Sequence, residues 1–348
     1  MLRRALAALS LAIGIVGIAA PAAADGEQIA RLELTGVIDQ VNAAFIEEAL
    51  RVAAEEGSAA AIIVIDSPGG ELTSMDRIIK AILASEVPVI AWVAPQGARA
   101  GSAATFVTLA ADVAAMAPNT NIGAASVVGS AGEELPETLA AKVTNDAVAR
   151  IRSLANEHGR NADWAESAVR DAASVSAVDA VEMEPPVVDF IATSVPSLLE
   201  EVDSGSRADG YRYTFNDEPI APLSGLPLRD LEMNVGQQFL HLLSDPNIAF
   251  ILFTIGFYGI IAELFHPNFF SGILGAIAIV LAFIGANALP LNVGGLLLIL
   301  IGVGLLALEV VVASYGLLTV GGVVALVLGA FALWTGVEPG VESIDVTV

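Results

Sequence analysis

Cysteine is absent from the 348-residue chain, which excludes disulfides, thiolate metal sites and a lipid-modified amino-terminal cysteine. Histidine is nearly absent, represented by His158, His241 and His266 alone. No metal and no other cofactor is expected. Lysine is scarce too: of the 15 basic residues only Lys80 and Lys142 are lysines, and the rest are arginines. No Lys or Arg follows Arg229, so charge counting has nothing to work with in the last third of the chain. The formal charge of −24 provides no basic surface for nucleic acid, which is excluded as a partner, or for anionic headgroups.

What the chain does have is apolar residues, 55% of the total, with a mean hydropathy of +0.72. That is the composition of a membrane protein. Residues 1–24 pair Arg3 and Arg4 with a short apolar run ending in Pro21-Ala22-Ala23-Ala24, as in a cleaved signal peptide. An uncleaved anchor is the alternative, for which the run is a little short. Residues 25–204 alternate apolar strand-like runs (Ile29–Leu34, Ala60–Ile65, Val87–Val93, Val113–Met116) with helix-like segments (Asn42–Glu55, Leu72–Ala84, Ser102–Ala111, Leu139–His158, Ala162–Ala173), an α/β pattern interrupted by a polar hinge at Gly129–Pro136. Residues 205–246 read as a linker with local strand at Tyr211–Phe215.

After Asp245-Pro246 the residues at 247–335 supply about four apolar segments, Ile248–Phe265, Gly272–Leu289, Val293–Val312 and Leu317–Trp334, leaving a short tail at 336–348. Each approaches the length needed to cross about 30 Å of hydrocarbon at about 1.5 Å per residue. These expectations describe a multi-pass cell-membrane protein in contact with membrane lipid, its α/β domain on the extracytoplasmic side. Glu263 and Glu309 fall within or near the ends of the segments, where a carboxylate is either functional, interfacial or packed on a partner helix.

The stretch Arg99 to Asp112, RAGSAATFVTLAAD, puts one hydroxyl, Ser102, at a small-residue turn between a strand and a helix. Such a serine is filler, a cap or a nucleophile. A nucleophile needs a base and amide donors for an oxyanion. Gly69 and Gly70 follow the strand Ala60–Ile65, where bare N–H groups face a substrate, and the Ala103 amide opens the helix. His158 lies in Asn156-Glu157-His158-Gly159-Arg160 at a helix end, where a cation facing the dipole is the ordinary explanation. Arginine cannot act as a base, whereas a lysine stripped of water loses its charge readily. Lys142, between Leu139-Ala140-Ala141 and Val143, suits that role better than Lys80, which lies on an amphipathic helix with its amine in solvent. A Ser/Lys hydrolase and a purely structural serine and lysine both fit this spacing.

The pieces Asp66-Ser-Pro-Gly-Gly70, Arg99-Ala-Gly-Ser-Ala103, Met116-Ala-Pro-Asn-Thr-Asn-Ile-Gly-Ala124, Lys142-Val-Thr-Asn145 and Ser153-Leu-Ala-Asn-Glu-His-Gly-Arg-Asn161 together resemble the membrane-bound ClpP-class serine proteases of the long NfeD type. The resemblance implies a ClpP/crotonase-like spiral of ββα units ahead of an all-α multi-span domain. It implies Ser102 as nucleophile, Lys142 as base in place of the His/Asp pair of soluble ClpP, and Gly70 and Ala103 as oxyanion donors. It further implies an endopeptidase that cleaves apolar segments in membrane-protein quality control, works with a stomatin or other SPFH-family membrane protein, and forms dimers or larger homo-oligomers. Two features depart from the pattern. Position 104 is Ala where the family usually has Gly, which costs about 1 kcal/mol or more if the backbone there needs a positive φ. The OB-like barrel that follows the spans in long members has no counterpart in the short segment after Trp334.

Two other functions compete. The same fold could serve as a non-proteolytic scaffold for a stomatin-type partner. A crotonase-like acyl-CoA enzyme shares the oxyanion turn, but export and the lack of a basic nucleotide-binding surface oppose it.

Overall fold

The computed structural model describes residues 27–127, 136–220, 222–267, 269–286, 291–309 and 314–336. The signal peptide, most of the polar hinge and nearly all of the tail lie outside the described residues.

Three parallel strands form the frame: β1 (Ile29–Ile38), β2 (Ala60–Gly70) and β3 (Val89–Val93). The Ile/Val/Ala runs suit strands covered on both faces, and Ile62, Ile63, Ile65, Val89 and Ile90 are all fully buried. β2 belongs to two sheets at once. Ala61–Ile65 pair with β3, while Ser67 farther along pairs with Ala100 of β4 (Arg99–Gly101). β5 (Val113–Met116) and β8 (Phe190–Ile191) extend the β3 side, and β6 (Asn121–Gly123) and β7 (Ser174–Ser176) extend the β4 side. The division of β2 turns the chain at Asp66–Gly70, which is where the site lies.

Helices α1 (Gln40–Glu55), α2 (Leu72–Leu83), α3 (Ala103–Ala110), α4 (Glu137–Glu157), α5 (Ala162–Arg170), α6 (Ala177–Glu182) and α7 (Val195–Asp203) connect the strands. Asp39 caps α1, accepting the Asn42 N–H at 2.7 Å. The main core gathers α1 to α6 on one face of the sheet. A second core on the other face holds Trp92, Phe190 and Leu198.

The segment expected as a linker is folded onto the domain. It carries β9 (Thr214–Phe215), β10 (Glu218–Pro219), β11 (Leu228–Asp230) and α8 (Val235–Leu243). Tyr213 and Leu223 are buried in the second core, and β11 pairs in parallel with β1.

Beyond Asp245, which caps the next helix, lie α9 (Pro246–Phe265), α10 (Phe270–Gly285), α11 (Leu291–Glu309) and α12 (Leu317–Gly336). Among the described residues α9 alone is long and apolar enough to cross a membrane, and the apolar stretches Phe270–Gly285, Val293–Glu309 and Leu317–Leu333 are shorter. α9 packs on α10 and α11 on α12. Glycine permits the close approach within each hairpin: a Cβ at Gly256 would stand 2.9 Å from the Gly275 carbonyl oxygen, and one at Gly302 2.8 Å from that of Gly322. Glu263 and Glu309 have matching structural roles. Glu263 accepts from the Phe269 and Gly272 amides at 2.8 and 3.0 Å and from the Ser271 hydroxyl, while Glu309 accepts from Gly316 and Thr319 at 3.0 and 3.3 Å and from Ser314. Each carboxylate thus satisfies the otherwise orphan amides at the start of the following helix.

Candidate active site

The end of β2, the end of β4 and the start of α3 converge on Ser102. Its backbone lies at φ +51°, ψ −119°, a conformation costly for any residue with a side chain, of order 1–3 kcal/mol. Two bonds hold it there: the Ser102 N–H donates to the Gly123 carbonyl at 2.9 Å, and the Ser102 carbonyl accepts from Thr105 at 2.9 Å. The Thr105 hydroxyl adds bonds to the Ala100 and Gly123 carbonyls at 2.9 and 3.1 Å. Although Ser102 occupies the cap position of α3, its side chain makes no cap hydrogen bond. The hydroxyl is therefore not serving as the cap that its position suggests. A strained serine on a sharp strand-to-helix turn is the arrangement that presents a nucleophile.

Ala104 would be strained only if its backbone needed a positive φ, and the strain lies instead at Ser102. Ala104 is a fully buried residue of α3 without a positive φ, so no glycine is needed there.

Gly69 is the glycine that meets Ser102. It has φ +102°, and a Cβ built on it would lie 2.5 Å from Ser102 Cβ and 3.0 Å from the Ala103 nitrogen. Gly70 is one step farther along and backs onto β1, where a Cβ would come within 2.1 Å of the Ile38 carbonyl oxygen. Ala103 opens α3, so its N–H has no acceptor within the helix. Ser67, which the sequence reading left without a role, accepts the Gly69 N–H at 3.0 Å and donates to the Gly36 carbonyl at 2.6 Å. Gly69, Ser102 and Ala103 are thus brought together. Gly69→Ala is expected to reduce labelling of the serine by an acylating probe by about 10²-fold, since a misplacement of about 1 Å at a reacting group costs that much. Labelling at the wild-type rate would contradict this packing.

Lys142 is not joined to that cluster. Among the described residues no hydrogen bond links it to Ser102. The desolvated setting inferred from its neighbours is absent, because the buried positions of α4 begin at Ala147 and the preceding helix turns stand clear of the core. Lys142 is exposed, and Leu139 beside it is 47% exposed. Lys80 is also exposed, as an amphipathic helix predicts.

His158 does end α4, but not as a cation. Its ring is largely buried, and burial together with the Arg160 guanidinium pushes its pKa down to about 4, leaving the ring neutral. Its neighbour Arg160 belongs to a buried ion cluster with no counterpart in the sequence reading. Asp189 pairs with Arg160 at 2.8 Å and with Arg207 at 3.0 Å, all three nearly without solvent contact. Arg160 also donates to the carbonyls of Leu109 and Ala111 at 3.0 and 2.9 Å, holding the far end of the helix that begins after Ser102.

Known proteins are similar to this chain in sequence and fold. Residues 30–186 match the family described as NfeD1b, N-terminal domain, and residues 247–348 match the NfeD integral membrane domain. The membrane-bound protease PH1510 of Pyrococcus horikoshii is 32% identical over 300 residues, which cover 83% of this chain and 65% of the relative. Membrane protein NfeD1b of Bacillus subtilis is 28% identical over 331 residues, 92% of this chain and 72% of the relative. The chain therefore spans a little under two thirds of the first relative's length. Among solved structures, a lysine-to-alanine variant of a membrane-bound stomatin-specific protease, in complex with a substrate peptide, superposes with a TM-score of 0.56 at 27% identity, covering 64% of this chain and 100% of that one. A serine-to-alanine variant of the same protease gives 0.51 at 29% identity, covering 61% and 100%. The expected order holds: an α/β domain similar in fold to that of the stomatin-specific protease, followed by a helical region that matches an integral membrane domain. Matched in this order by an NfeD1b-type amino-terminal domain and an integral membrane domain, the chain belongs to the NfeD family.

Proposed function

We propose that the chain is a membrane-anchored serine endopeptidase with a Ser102/Lys142 dyad. The observation that carries this reading is the strained turn at Ser102, whose hydroxyl is not used as a cap although Gly69 and the Ala103 amide lie against it. Lys142 takes the hydroxyl proton as the serine oxygen bonds to the peptide carbonyl carbon. The oxyanion is received by the Gly70 and Ala103 amides. Collapse expels the amine with the proton returned by Lys142, and water then hydrolyses the acyl-enzyme.

Exposed Leu72, next to the turn, and exposed Leu139, next to Lys142, suit an apolar peptide segment. Such a segment, or a second copy of the chain seated on the free start of α4, removes water from the amine. In this reading the four apolar helices all span the membrane, the α/β domain faces away from the cytoplasm, and the substrate or partner is a stomatin or SPFH-family protein in membrane-protein quality control. The Pyrococcus horikoshii structure of a membrane protease specific for a stomatin homolog supports that choice. The test is incubation of the full chain in micelles with apolar segments of a stomatin-family protein. Cleavage by the wild type and none by Ser102→Ala is expected, and equal cleavage by both contradicts the reading.

The exposure of Lys142 favours one other reading, a scaffold that binds a stomatin-type partner without cleaving it. Pull-down with Ser102→Ala tests that reading: a scaffold keeps its partner with the serine removed, and loss of the partner opposes it.

A further inference from the structure

A polar contact joins the helix that enters the membrane domain to the back of the catalytic turn. α8 ends at Leu243, just before α9 begins at Pro246. On α8, His241 Nδ1 lies 2.9 Å from Asp39 Oδ2, and the Asp39 side chain is only 2% exposed. The other edge of the ring rests on Gly36, where a Cβ would stand 3.1 Å from Nε2. Gly36 has φ +70° and sits at the irregularity between Thr35 and Val37 in the pairing of β1 with β2. Its carbonyl accepts from the fully buried Ser67 hydroxyl, which in turn accepts the Gly69 N–H, and Gly69 lies against Ser102.

We infer that His241 is a positioning residue for the catalytic turn: by holding Asp39 and the Gly36 bulge it sets, through the Ser67 hydroxyl, the Gly69 backbone against Ser102. Seating of the membrane-entry helix on the α/β domain is thereby linked to the geometry at the nucleophile. The inference rests on the reading of Ser102 as nucleophile. The path is continuous and each step is a hydrogen bond or a backbone contact, with no gap to be filled by an unspecified movement.

The link has a pH signature. The hydrogen bond to Asp39 raises the His241 pKa, with burial opposing it. Because the folded value is raised, the charged pair is fully present below the ordinary histidine value and is lost as pH rises through the raised one. The other charged groups nearby are Arg31 and Glu33 of β1 and Asp230 and Glu232 at and after β11, around a cavity of about 400 Å³ beside His241, and Glu71, which feels the Asp39 charge. α8 meets α10 and α12 at glycines, the Leu243 carbonyl and Cβ on Gly285 and the Phe331 ring on Gly236, and none of these is a titratable group.

The test is the rate of acylation by a fluorophosphonate probe, together with kcat and KM for an apolar peptide, on the full chain in micelles from acidic to alkaline pH. His241→Ala is expected to slow acylation and lower kcat by about ten-fold, with KM little changed. His241→Gln, which keeps a donor for Asp39 without a titrating ring, is expected to recover most of the rate and to lose the alkaline decline of the wild type. Ser67→Ala breaks the same path one step later and is expected to slow acylation while α8 stays seated, so the test survives misfolding of the alanine variant at 241. Wild-type rates and an unchanged pH profile in all three variants overturn the inference. Labelling that persists in Ser102→Ala, or no labelling of the wild type, sinks the nucleophile reading instead. In that event amide exchange at Gly69 decides: faster exchange in His241→Ala but not in His241→Gln supports the link, and equal exchange contradicts it.

Discussion

Replacing Lys142 by alanine is expected to lower kcat/KM for peptide cleavage by about 10²–10⁴-fold, the usual contribution of a positioned proton acceptor. Lys142→Arg is expected to restore none of it, because a guanidinium keeps its proton and cannot take the one from Ser102. A merely structural lysine behaves differently: on an exposed helix turn, arginine replaces it with little effect. The start of α4 makes this contrast sharp, since no buried contact there depends on the lysine stem. Ser102→Ala removes the attacking atom itself and is expected to leave only background hydrolysis. The check is initial-rate cleavage by the four proteins side by side. An active Lys142→Arg variant would assign the base to another group.

Asp189→Ala is expected to destabilise the α/β domain by about 3–5 kcal/mol, the cost of stranding buried charge. Asp189 neutralises Arg160 and Arg207 together and also accepts the Ala114 amide at 2.7 Å, so its loss leaves the buried Arg160 guanidinium without its carboxylate, Arg207 with Asp209 alone, and a strand amide without its acceptor. The damage does not stay local. Arg160 grips the carbonyls at the end of α3, and Ser102 stands at the beginning of that helix. Thermal melting of the full chain in micelles measures the effect. Replacing all three charged residues by apolar ones of similar size is expected to cost less than Asp189→Ala alone, because no buried charge then remains unpaired and Asp209, which loses Arg207, is open to water. Equal stability of wild type and Asp189→Ala would mean that water reaches the cluster.

The sequence made the strands with long Val/Ile runs legible, since their burial on both faces leaves a continuous apolar run. β4, β6 and β7, three residues each, carry no such signal and exist because neighbouring strands supply their partners. The stretch Asp66–Gly70 reads as a turn, yet it continues β2, because β1 runs alongside it as far as Ile38 opposite Gly70. The segment after Ser204 looked like a linker from its Gly, Pro and Asp content. Its few apolar residues, Tyr213 and Leu223 among them, are the ones that tie it down.

At the candidate site, the tight strand-to-helix turn that carries Ser102 was legible from its small neighbours, whereas the setting of Lys142 was not. Leu139, Ala140 and Ala141 are apolar in sequence, but a helix buries a residue only on the face that meets the core, and that face begins later in α4. His158 was misread for the related reason that a string of polar neighbours does not reveal a ring folded inward. Ser67, Asp39 and His241 are far apart in the chain, and only the pairing of β1 with β2 and the packing of α8 bring them into one path.

The most direct measurement is peptide mapping by mass spectrometry after the full chain is treated with a serine-directed fluorophosphonate. A single adduct on Ser102, greatly slowed in Lys142→Ala, is the predicted result. An adduct on a different serine, or peptide cleavage that continues with Ser102 unmodified, would contradict the account.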